Sequence, residues 1–467
     1  MIEGLKPYGE YKRAGLPWLD AVPAHWEMTP NRALMQEQRA VVGERAASYT
    51  LLSLTLGGII PRNMVNPKGK FPAEFNTYKV VRPDDLVFCL FDIDETPRAV
   101  GYSKLNGMIT GAYDVFSPRA VGDPRFLFYY YLWVDHGKLL KPLYTGLRKT
   151  IQRGVFASLK TPNPPRDERD AIVRFLNYAN QKSDSFIRGK RKLIALLKEQ
   201  KQAIIHQAVI GGLNHHVLRA SGLPWLGDMP EHWDVQPIKR TLTRMDYGTS
   251  ESALDEGRIR VITMGHIRDG RVVIPQSGGL DRVPPELYLE NSDLLFNRTN
   301  SLELVGKVGL FQGDVGCPVT FASYLVRMRV SHDHNPQWLN FLLNSSRFWA
   351  YARSHALMSL HQANLNARRY GRMKIPVPPR TEQDEIVGYI TKKSLGIDTA
   401  IARTKNEIAL MLEYRTRLTA DIVTGKVDVR DASANLPDVP AADSSKDQVV
   451  AGRELDLEAI ESEVIDE

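Results

Sequence analysis

Residues Gly15 to Trp26 read GLPWLDAVPAHW, and residues Gly222 to Trp233 read GLPWLGDMPEHW. The second stretch repeats the first at an offset of 207 residues, with a proline, a histidine and a tryptophan in register. Self-similarity at so long a spacing indicates that one structural plan is used twice along the chain. The sequence therefore predicts an internal repeat with a pseudo-two-fold relation between its halves.

The repeat continues beyond this opening motif. The tetrapeptide DLVF at Asp85–Phe88 matches DLLF at Asp293–Phe296, and FASLKTPNPPR at 156–166 matches YGRMKIPVPPR at 370–380. The offset has grown to 214 by then, so the second copy contains about seven additional residues. A helix is predicted after each Pro-Pro-Arg, because Asp167 or Thr381 can act as the N-cap and acidic residues follow.

Each predicted helix carries an apolar stripe with heptad spacing. The seam residues are Ile187, Ile194, Leu197 and Ile204 in the first helix, and Ile401, Ile408, Met411, Leu418 and Ile422 in the second. A cation occupies the same seam position in both copies, Lys201 and Arg415, and each stripe ends at a glycine, Gly211 or Gly425. Two matched seams in one chain are predicted to bury each other as an antiparallel coiled coil, with a globular unit at each end. A seam of about 28 residues is about 40 Å long, which approaches the ~34 Å between half-sites of dimeric DNA readers.

The predicted fold class is mixed α/β, with two tandem globular domains separated by the two long helices. Short apolar runs such as Val80-Val81 alternate with turn residues in both globular stretches. Tyr129, Tyr130 and Tyr131 could stack on DNA bases, but their apolar surroundings favour a core strand. The predicted boundaries are 1–160 and 216–375 for the globular domains, 161–215 and 376–430 for the helical regions, and 431–467 for an acidic tail expected to be disordered.

The charge distribution favours a polyanionic partner. The chain carries a formal charge of +7, but residues 428–467 hold twelve acidic and three basic residues, so residues 1–427 carry 58 basic against 42 acidic residues, a net charge of +16. Cations placed on phosphates gain affinity through counterion release, which makes DNA the expected partner. A solvated basic surface with no such role is the simpler alternative.

Candidate DNA contacts are polar and basic residues in the turn-rich parts of each globular stretch. They are Arg148, Lys149 and Arg153 in the first copy, and Asn297, Arg298, Asn300, Lys307, His361, Asn364, Arg368 and Arg369 in the second. Arginine and asparagine suit base readout because they form bidentate hydrogen bonds with guanine and adenine. The interiors of the two copies barely match, so the two domains are expected to share a fold and to read different sequences.

The paired openings, DLLFNRTNS at 293–301, PPRTEQDEIV at 378–387 and the two terminal helices together resemble the specificity subunit of type I restriction–modification systems. The resemblance covers nearly the whole chain except the acidic tail, and one departure is Glu168-Arg169 in the first copy where the second has Glu382-Gln383. It implies two target-recognition domains that each read half of a bipartite, asymmetric double-stranded DNA site. It also implies that the helices act as a ruler and dock partner subunits. No cofactor is then expected in this chain: S-adenosylmethionine would be used by modification (methyltransferase) subunits, and ATP and magnesium by restriction subunits.

Sequence signals for catalysis are weak. Asn163-Pro-Pro-Arg166 is close to the NPPY-type motif of amino-methyltransferases, but Arg166 replaces the stacking aromatic, and no P-loop pattern occurs. The acidic residues Asp92, Asp94 and Glu95 lack the lysine expected beside a nuclease centre, and Cys317, His332, His334 and the pair His215-His216 lack zinc-site spacing. We therefore predict no catalytic and no metal-binding residues, although a hydrolytic triad assembled only in three dimensions stays open.

Composition limits the remaining classes. The 467 residues are 43% apolar and 25% charged, and no apolar run approaches the ~20 residues that span a bilayer. Two cysteines and an N-terminus without an apolar signal segment predict a reduced, cytoplasmic protein. Two other functional hypotheses remain at this stage: a coiled-coil scaffold that organises other proteins without reading DNA, and a single-chain enzyme that cleaves or methylates DNA alone.

Overall fold

The computed structural model describes residues 5–62, 64, 74–93, 95–119, 123–146, 149–214, 217–313, 316–359 and 362–437. The chain folds as two compact units. Unit 1 consists of Met1–Gly189 and Asn406–Glu467, and unit 2 consists of Lys190–Lys405. Both boundaries fall inside long helices, so each unit contains one globular portion and part of each long helix.

Two helices are much longer than the rest. The helices are α1 (Asn31–Leu34), α2 (Arg125–His136), α3 (Arg153–Ser158), α4 (Arg166–Gly211), α5 (Pro336–Leu343), α6 (Ser346–Ser354), α7 (Ala367–Gly371), α8 (Arg380–Val423) and α9 (Arg430–Ala434). Helices α4 and α8 have 46 and 44 residues and lie within the predicted helical regions. Within the described part of the chain, no helix combines the length and the apolar character needed to cross a membrane.

The predicted starts and ends of α4 and α8 need small corrections. Both helices begin two residues earlier than caps at Asp167 and Thr381 would require, at Arg166 and Arg380. Asp167 and Thr381 therefore lie in the first turn, where the acid at 167 favours the positive end of the helix dipole instead of acting as a cap. At the other end, Gly211 is still helical and Gly212 adopts the left-handed backbone, with φ of 72°.

Gly425 takes the same left-handed conformation after α8, with φ of 75°. A Cβ atom at this position would lie 2.2 Å from Cδ of Pro23 and 3.2 Å from Cη2 of Trp26. The end of α8 thus packs directly on the opening motif of unit 1, and only glycine permits both the conformation and the approach.

Most of the predicted seam positions are less exposed than their neighbours along the helix. Ile187, Leu418 and Ile422 are buried, and Ile194, Leu197, Ile204, Ile401, Ile408 and Met411 are half-buried. In unit 2, the ammonium of Lys201 lies 2.7 Å from a carboxylate oxygen of Asp398. In unit 1, the guanidinium of Arg415 lies 2.8 Å from Asp184. Both cations and both aspartates differ by 214 residues, so each unit contains the same ion pair between the two long helices.

Unit 1 is built from short antiparallel strands. They are β1 (Tyr11–Leu16), β2 (Leu19–Pro23), β3 (Glu27–Pro30), β4 (Met35–Gln38), β5 (Leu52–Thr55), β6 (Gly58–Pro61), β7 (Lys79–Val81), β8 (Leu86–Phe88), β9 (Val100–Tyr102), β10 (Gly107–Ile109), β11 (Asp114–Pro118) and β12 (Lys160–Asn163). A four-stranded sheet in the order β4-β11-β8-β9 forms the centre, and β1-β2, β5-β6, β7-β10 and β3-β12 pair beside it.

The core of unit 1 lies between this sheet, α2 and α4. Tyr130 and Tyr131 are each 1% exposed, as a core role requires, but they belong to helix α2 and not to a strand. The strand assignment was wrong because a continuous apolar run has no period that separates a buried helix from a buried strand. The hydroxyl of Tyr131 lies 2.8 Å from both Asn31 Oδ1 and Thr161 Oγ1, which satisfies it in the interior.

Unit 2 has a larger sheet. Its strands are β13 (Leu218–Ala220), β14 (Asp228–Pro230), β15 (Asp234–Pro237), β16 (Leu242–Tyr247), β17 (Arg260–Ile262), β18 (Ile267–Arg268), β19 (Arg271–Val272), β20 (Leu294–Asn297), β21 (Thr299–Asn300), β22 (Val308–Leu310), β23 (Val319–Phe321), β24 (Leu325–Val330), β25 (Leu357–Ser359), β26 (Gln362–Asn364) and β27 (Lys374–Val377). The six-stranded order is β16-β24-β20-β22-β19-β18, and a separate three-stranded sheet has the order β21-β26-β25. Strands β17 and β23 pair in parallel. Both units contain helices as well as sheets, so each is mixed α/β.

Equivalent strands pair in the same way in both units. In unit 1, β3 and β12 pair, with Pro30 opposite Lys160. In unit 2, β15 and β27 pair, with Pro237 opposite Lys374. Each pairing joins the residues that follow the opening motif to the strand that leads into a long helix. The repeated motifs of the sequence therefore occupy equivalent places in the two units.

Candidate nucleic-acid interface

The opening motif of each unit holds the first turn of the long helix that follows. In unit 1, Trp26 Nε1 donates to Oε1 of Glu168 at 2.8 Å, and Nε2 of His25 lies 2.8 Å from Oε2. In unit 2, Trp233 Nε1 donates to Glu382 at 3.0 Å, and Nε2 of His232 lies 2.8 Å from the same carboxylate. We call these the two Trp–Glu clasps.

The clasps explain why the motif is duplicated, and sequence reasoning missed them. The repeat itself carried the signal, because Trp26 matches Trp233 at an offset of 207 residues and Glu168 matches Glu382 at an offset of 214. The clasps differ in burial: the Glu168 side chain is 4% exposed and also accepts a hydrogen bond from Tyr8, whereas the Glu382 side chain is 15% exposed. Each clasp fixes a globular portion to its helix and so positions whatever surface that portion presents.

A pair of antiparallel segments lies at the equivalent place in each unit. In unit 1 it is defined by an antiparallel bridge between Thr145 and Thr150, which we call the first hairpin. In unit 2 it consists of β25 and β26, which we call the second hairpin, where Met358 pairs with Ala363. The two bridges correspond at offset 213. Each hairpin is followed by a short helix, α3 or α7, and then by the strand that precedes the long helix.

The two hairpins are also anchored alike. The amide of Ile151 donates to the carbonyl of Leu90 at 2.8 Å, and the amide of Leu365 donates to the carbonyl of Arg298 at 2.8 Å. Leu90 and Arg298 follow the matched strands β8 and β20. In both units a backbone hydrogen bond therefore joins the end of the hairpin to a residue just after a sheet strand, and segments held by a sheet are the usual place of recognition residues.

The candidate residues of unit 1 lie on or beside the first hairpin. Lys149 has a left-handed backbone, and its ammonium lies 3.8 Å from Glu95. Arg153 begins α3 and is 57% exposed, with its guanidinium 2.9 Å from Asp114 and 3.4 Å from Glu37. Arg148 lies outside the described residues. Lys149 and Arg153 thus each form ion pairs with acidic side chains at the surface of unit 1.

Most candidates of unit 2 lie near the second hairpin. Arg368 and Arg369 are exposed on α7, and the Arg369 guanidinium donates to the carbonyl of His355 at 3.3 Å. Arg298 is half-buried, with its guanidinium 5.0 Å from the centre of the Tyr247 ring. Lys307 lies farther along the chain, with its ammonium 5.4 Å from the centre of the Trp349 ring. His361 lies outside the described residues.

The asparagines proposed as base contacts are engaged within the protein. Asn297 is 1% exposed because it lies in the central strand β20, so its side chain is not available at the surface and the sequence-based assignment is corrected here. Asn300 accepts from the amide of Ser301 at 2.7 Å, and Asn364 donates to Thr299 Oγ1 at 2.9 Å. The latter bond joins β21 to the second hairpin and stiffens it.

Two residues from the weak catalytic and metal-site motifs, Asn163 and His334, make hydrogen bonds within the protein. Asn163 lies in β12 and donates to Thr29 Oγ1 at 3.2 Å. Nδ1 of His334 lies 3.2 Å from the amide nitrogen of Gln383, and burial lowers the pKa of this histidine. Within the described ranges, no group of three or more His, Cys, Asp or Glu is arranged to hold a metal ion. Asp94, His215 and His216 lie outside those ranges.

The chain has relatives among curated proteins, although no family model matches it. It is 24% identical over 306 residues to the specificity subunit of the type I restriction enzyme EcoKI from Escherichia coli, covering 63% of each chain. It is 25% identical over 171 residues to a subunit described as the putative type I restriction enzyme MjaX specificity subunit of Methanocaldococcus jannaschii, covering 36% of this chain and 40% of that one. The chain thus spans less than two thirds of the length of these relatives.

A solved structure supports the fold independently. It comes from work on complex assembly and conformational transition of the type I restriction–modification system, and it superposes with a TM-score of 0.58 at 14% identity. The match covers 86% of this chain and 98% of that chain. The resemblance predicted from the motifs is therefore confirmed: this chain is a relative of the specificity subunits of type I restriction enzymes.

Proposed function

We propose that this chain is a non-catalytic DNA-recognition subunit in which each unit reads one half of a bipartite, asymmetric DNA site. The observation that carries the proposal is the pair of equivalent hairpins, each with lysine or arginine side chains on or beside it, found in a relative of specificity subunits. Lys149 and Arg153 would contact one half-site, and Arg368 and Arg369 the other. The net charge of +16 on residues 1–427 supplies the general attraction to phosphates.

The two long helices, in this proposal, form an antiparallel coiled coil that sets the gap between the half-sites. The shielded heptad seams support it, as does the repetition of one ion pair as Asp184–Arg415 and Lys201–Asp398. From the first pair to the second, the residue number rises from 184 to 201 on α4 and falls from 415 to 398 on α8, as an antiparallel pairing requires. A spacer of this kind transmits its length to the DNA because helices resist compression along their axes.

Partner subunits would dock on the outer faces of these helices. Leu196 and Leu410 are 52% and 64% exposed and are separated by the repeat offset of 214. Exposed leucines at matched positions fit two copies of one partner, for which modification subunits are the expected candidates. S-adenosylmethionine chemistry would then reside in those subunits, and ATP and magnesium would be used by restriction subunits.

The proposal is tested by mapping methylated adenines across the genome of the source strain with and without this gene. Loss of one asymmetric motif made of two specific halves and an unspecific gap is the expected result. An unchanged methylation map, obtained while the partner genes are expressed, would contradict the proposed function and favour a scaffold without DNA recognition.

A further inference from the structure

The second hairpin exposes apolar side chains on a sheet edge. Leu357 and Met358 are 67% and 58% exposed, among the highest fractions of any large apolar residue in the described chain. Both belong to β25, the terminal strand of the β21-β26-β25 sheet. An apolar edge strand invites unwanted pairing with other chains, and proteins normally protect such edges with charge. Its exposure therefore points to a ligand that covers it.

The surroundings of this edge are strongly basic. Residues 334–381 contain seven Lys or Arg and no Asp or Glu. The Arg369 guanidinium donates to the carbonyl of His355, two residues before β25, and the Arg353 guanidinium lies 4.6 Å from the centre of the Trp349 ring. Arg368, on the following helix α7, is exposed as well. The segments before and after the second hairpin thus carry exposed or partly exposed arginines. Charge complementarity therefore favours a polyanion, rather than another protein, as the ligand that covers Leu357 and Met358.

The first hairpin has a different chemistry at the equivalent place. Its bridge joins Thr145 and Thr150, and its described cation, Lys149, lies near Glu95. In the second hairpin the bridged pair is Met358 and Ala363. Because Ala363 is buried, the exposed side chain at this bridge is apolar Met358 in unit 2, whereas it is the polar Thr145 in unit 1. Equivalent elements with such different side chains are suited to different DNA sequences.

We propose that the second hairpin enters the major groove of DNA, where Leu357 and Met358 contact thymine methyl groups and the arginines contact the flanking phosphates. The proposal rests on the DNA-recognition function proposed above. The major groove is wide enough for a two-stranded β-ribbon, and the thymine C5-methyl is the apolar group displayed there. Unit 2 would accordingly read a thymine-containing half-site through apolar contacts.

The first experiment compares DNA motifs selected from a randomised duplex pool by the full chain and by the variant Leu357→Ser/Met358→Ser. We expect the variant to keep one half of the motif and to lose base preference in the other, with affinity for the original site reduced about 10-fold or more. Both residues are exposed and uncharged, so folding and non-specific, salt-dependent binding should be unchanged. Leu254→Ser, at a 55% exposed position of the same unit outside the hairpin, is the matched control.

The second experiment leaves the protein unaltered and replaces thymine by uracil in one half-site at a time. Removal of the methyl groups should weaken binding only in the half that the serine variant no longer reads. The serine variant itself should bind the thymine and uracil duplexes equally, because it lacks the apolar contact.

The outcomes separate the two proposals. If the unaltered chain selects a two-part motif and the serine variant selects the same motif, the hairpin assignment is wrong while DNA recognition stands. Equal weakening of both halves, or indifference to uracil in the half-site of unit 2, would likewise overturn it. If the unaltered chain selects no motif and the methylation map does not change, the proposed function fails and the hairpin assignment falls with it.

Discussion

At the scale of single residues, Glu168 joins the first turn of α4 to the opening motif of unit 1. It is nearly buried and accepts from Tyr8, His25 and Trp26. Replacing it with alanine leaves the buried donors of Tyr8 and Trp26 without this partner, so we expect Glu168→Ala to lower the free energy of unfolding by about 2–4 kcal/mol, measured by urea denaturation. Glu382→Ala is the matched control and should cost less, because that clasp is more exposed. Equal losses would contradict the ranking.

His266 gives a pH-dependent prediction at the same scale. Its Nδ1 accepts the amide of Thr263 at 2.9 Å, and burial lowers its pKa in the folded protein. A lowered folded pKa means that the stabilisation is complete above the unfolded value of about 6.5 and is lost as the pH falls below it. Urea midpoints should therefore decrease below about pH 6.5, and His266→Gln should reduce that decrease. His332→Gln, at a 91% exposed side chain, is the control and should leave it unchanged.

At the scale of elements, the ion pairs between α4 and α8 test the helix pairing. Arg415→Glu places a negative charge beside Asp184, and we expect a loss of about 0.5–1 kcal/mol, since these side chains are partly exposed and screened by water. Adding Asp184→Arg restores the opposite charges and should recover most of the loss. The cycle Lys201→Glu with Asp398→Lys repeats the test in unit 2. Additive single-variant effects, measured by urea denaturation, would show that the charges are not coupled.

At the scale of the whole molecule, the proposed spacer predicts the length of the gap in the DNA motif. Inserting one seven-residue heptad into α4 and one at the equivalent place in α8 keeps both seams in register and lengthens each helix by about 10 Å. The gap of the selected motif should then grow by about three base pairs, at a rise of about 3.4 Å each. The same heptad inserted after Pro437, beyond α9, is the control. An unchanged gap in the lengthened protein would exclude the ruler role.

The sequence by itself determined the repeat, both long helices, the DNA-binding hypothesis and the resemblance to specificity subunits. The long helices follow from local periodicity, such as the heptad spacing from Ile187 onwards, and the repeat follows from motifs that recur at offsets of 207 to 214 residues. It could not reveal that Tyr129–Tyr131 form a helix, because a short apolar run is compatible with either element. Contacts between residues far apart in the chain were decided only by the tertiary structure. Trp26 meets Glu168 across 142 residues, and Leu365 meets Arg298 at the base of the second hairpin. Burial of Asn297 and exposure of Leu357 follow from such long-range packing, and so does the placement of both candidate reading elements.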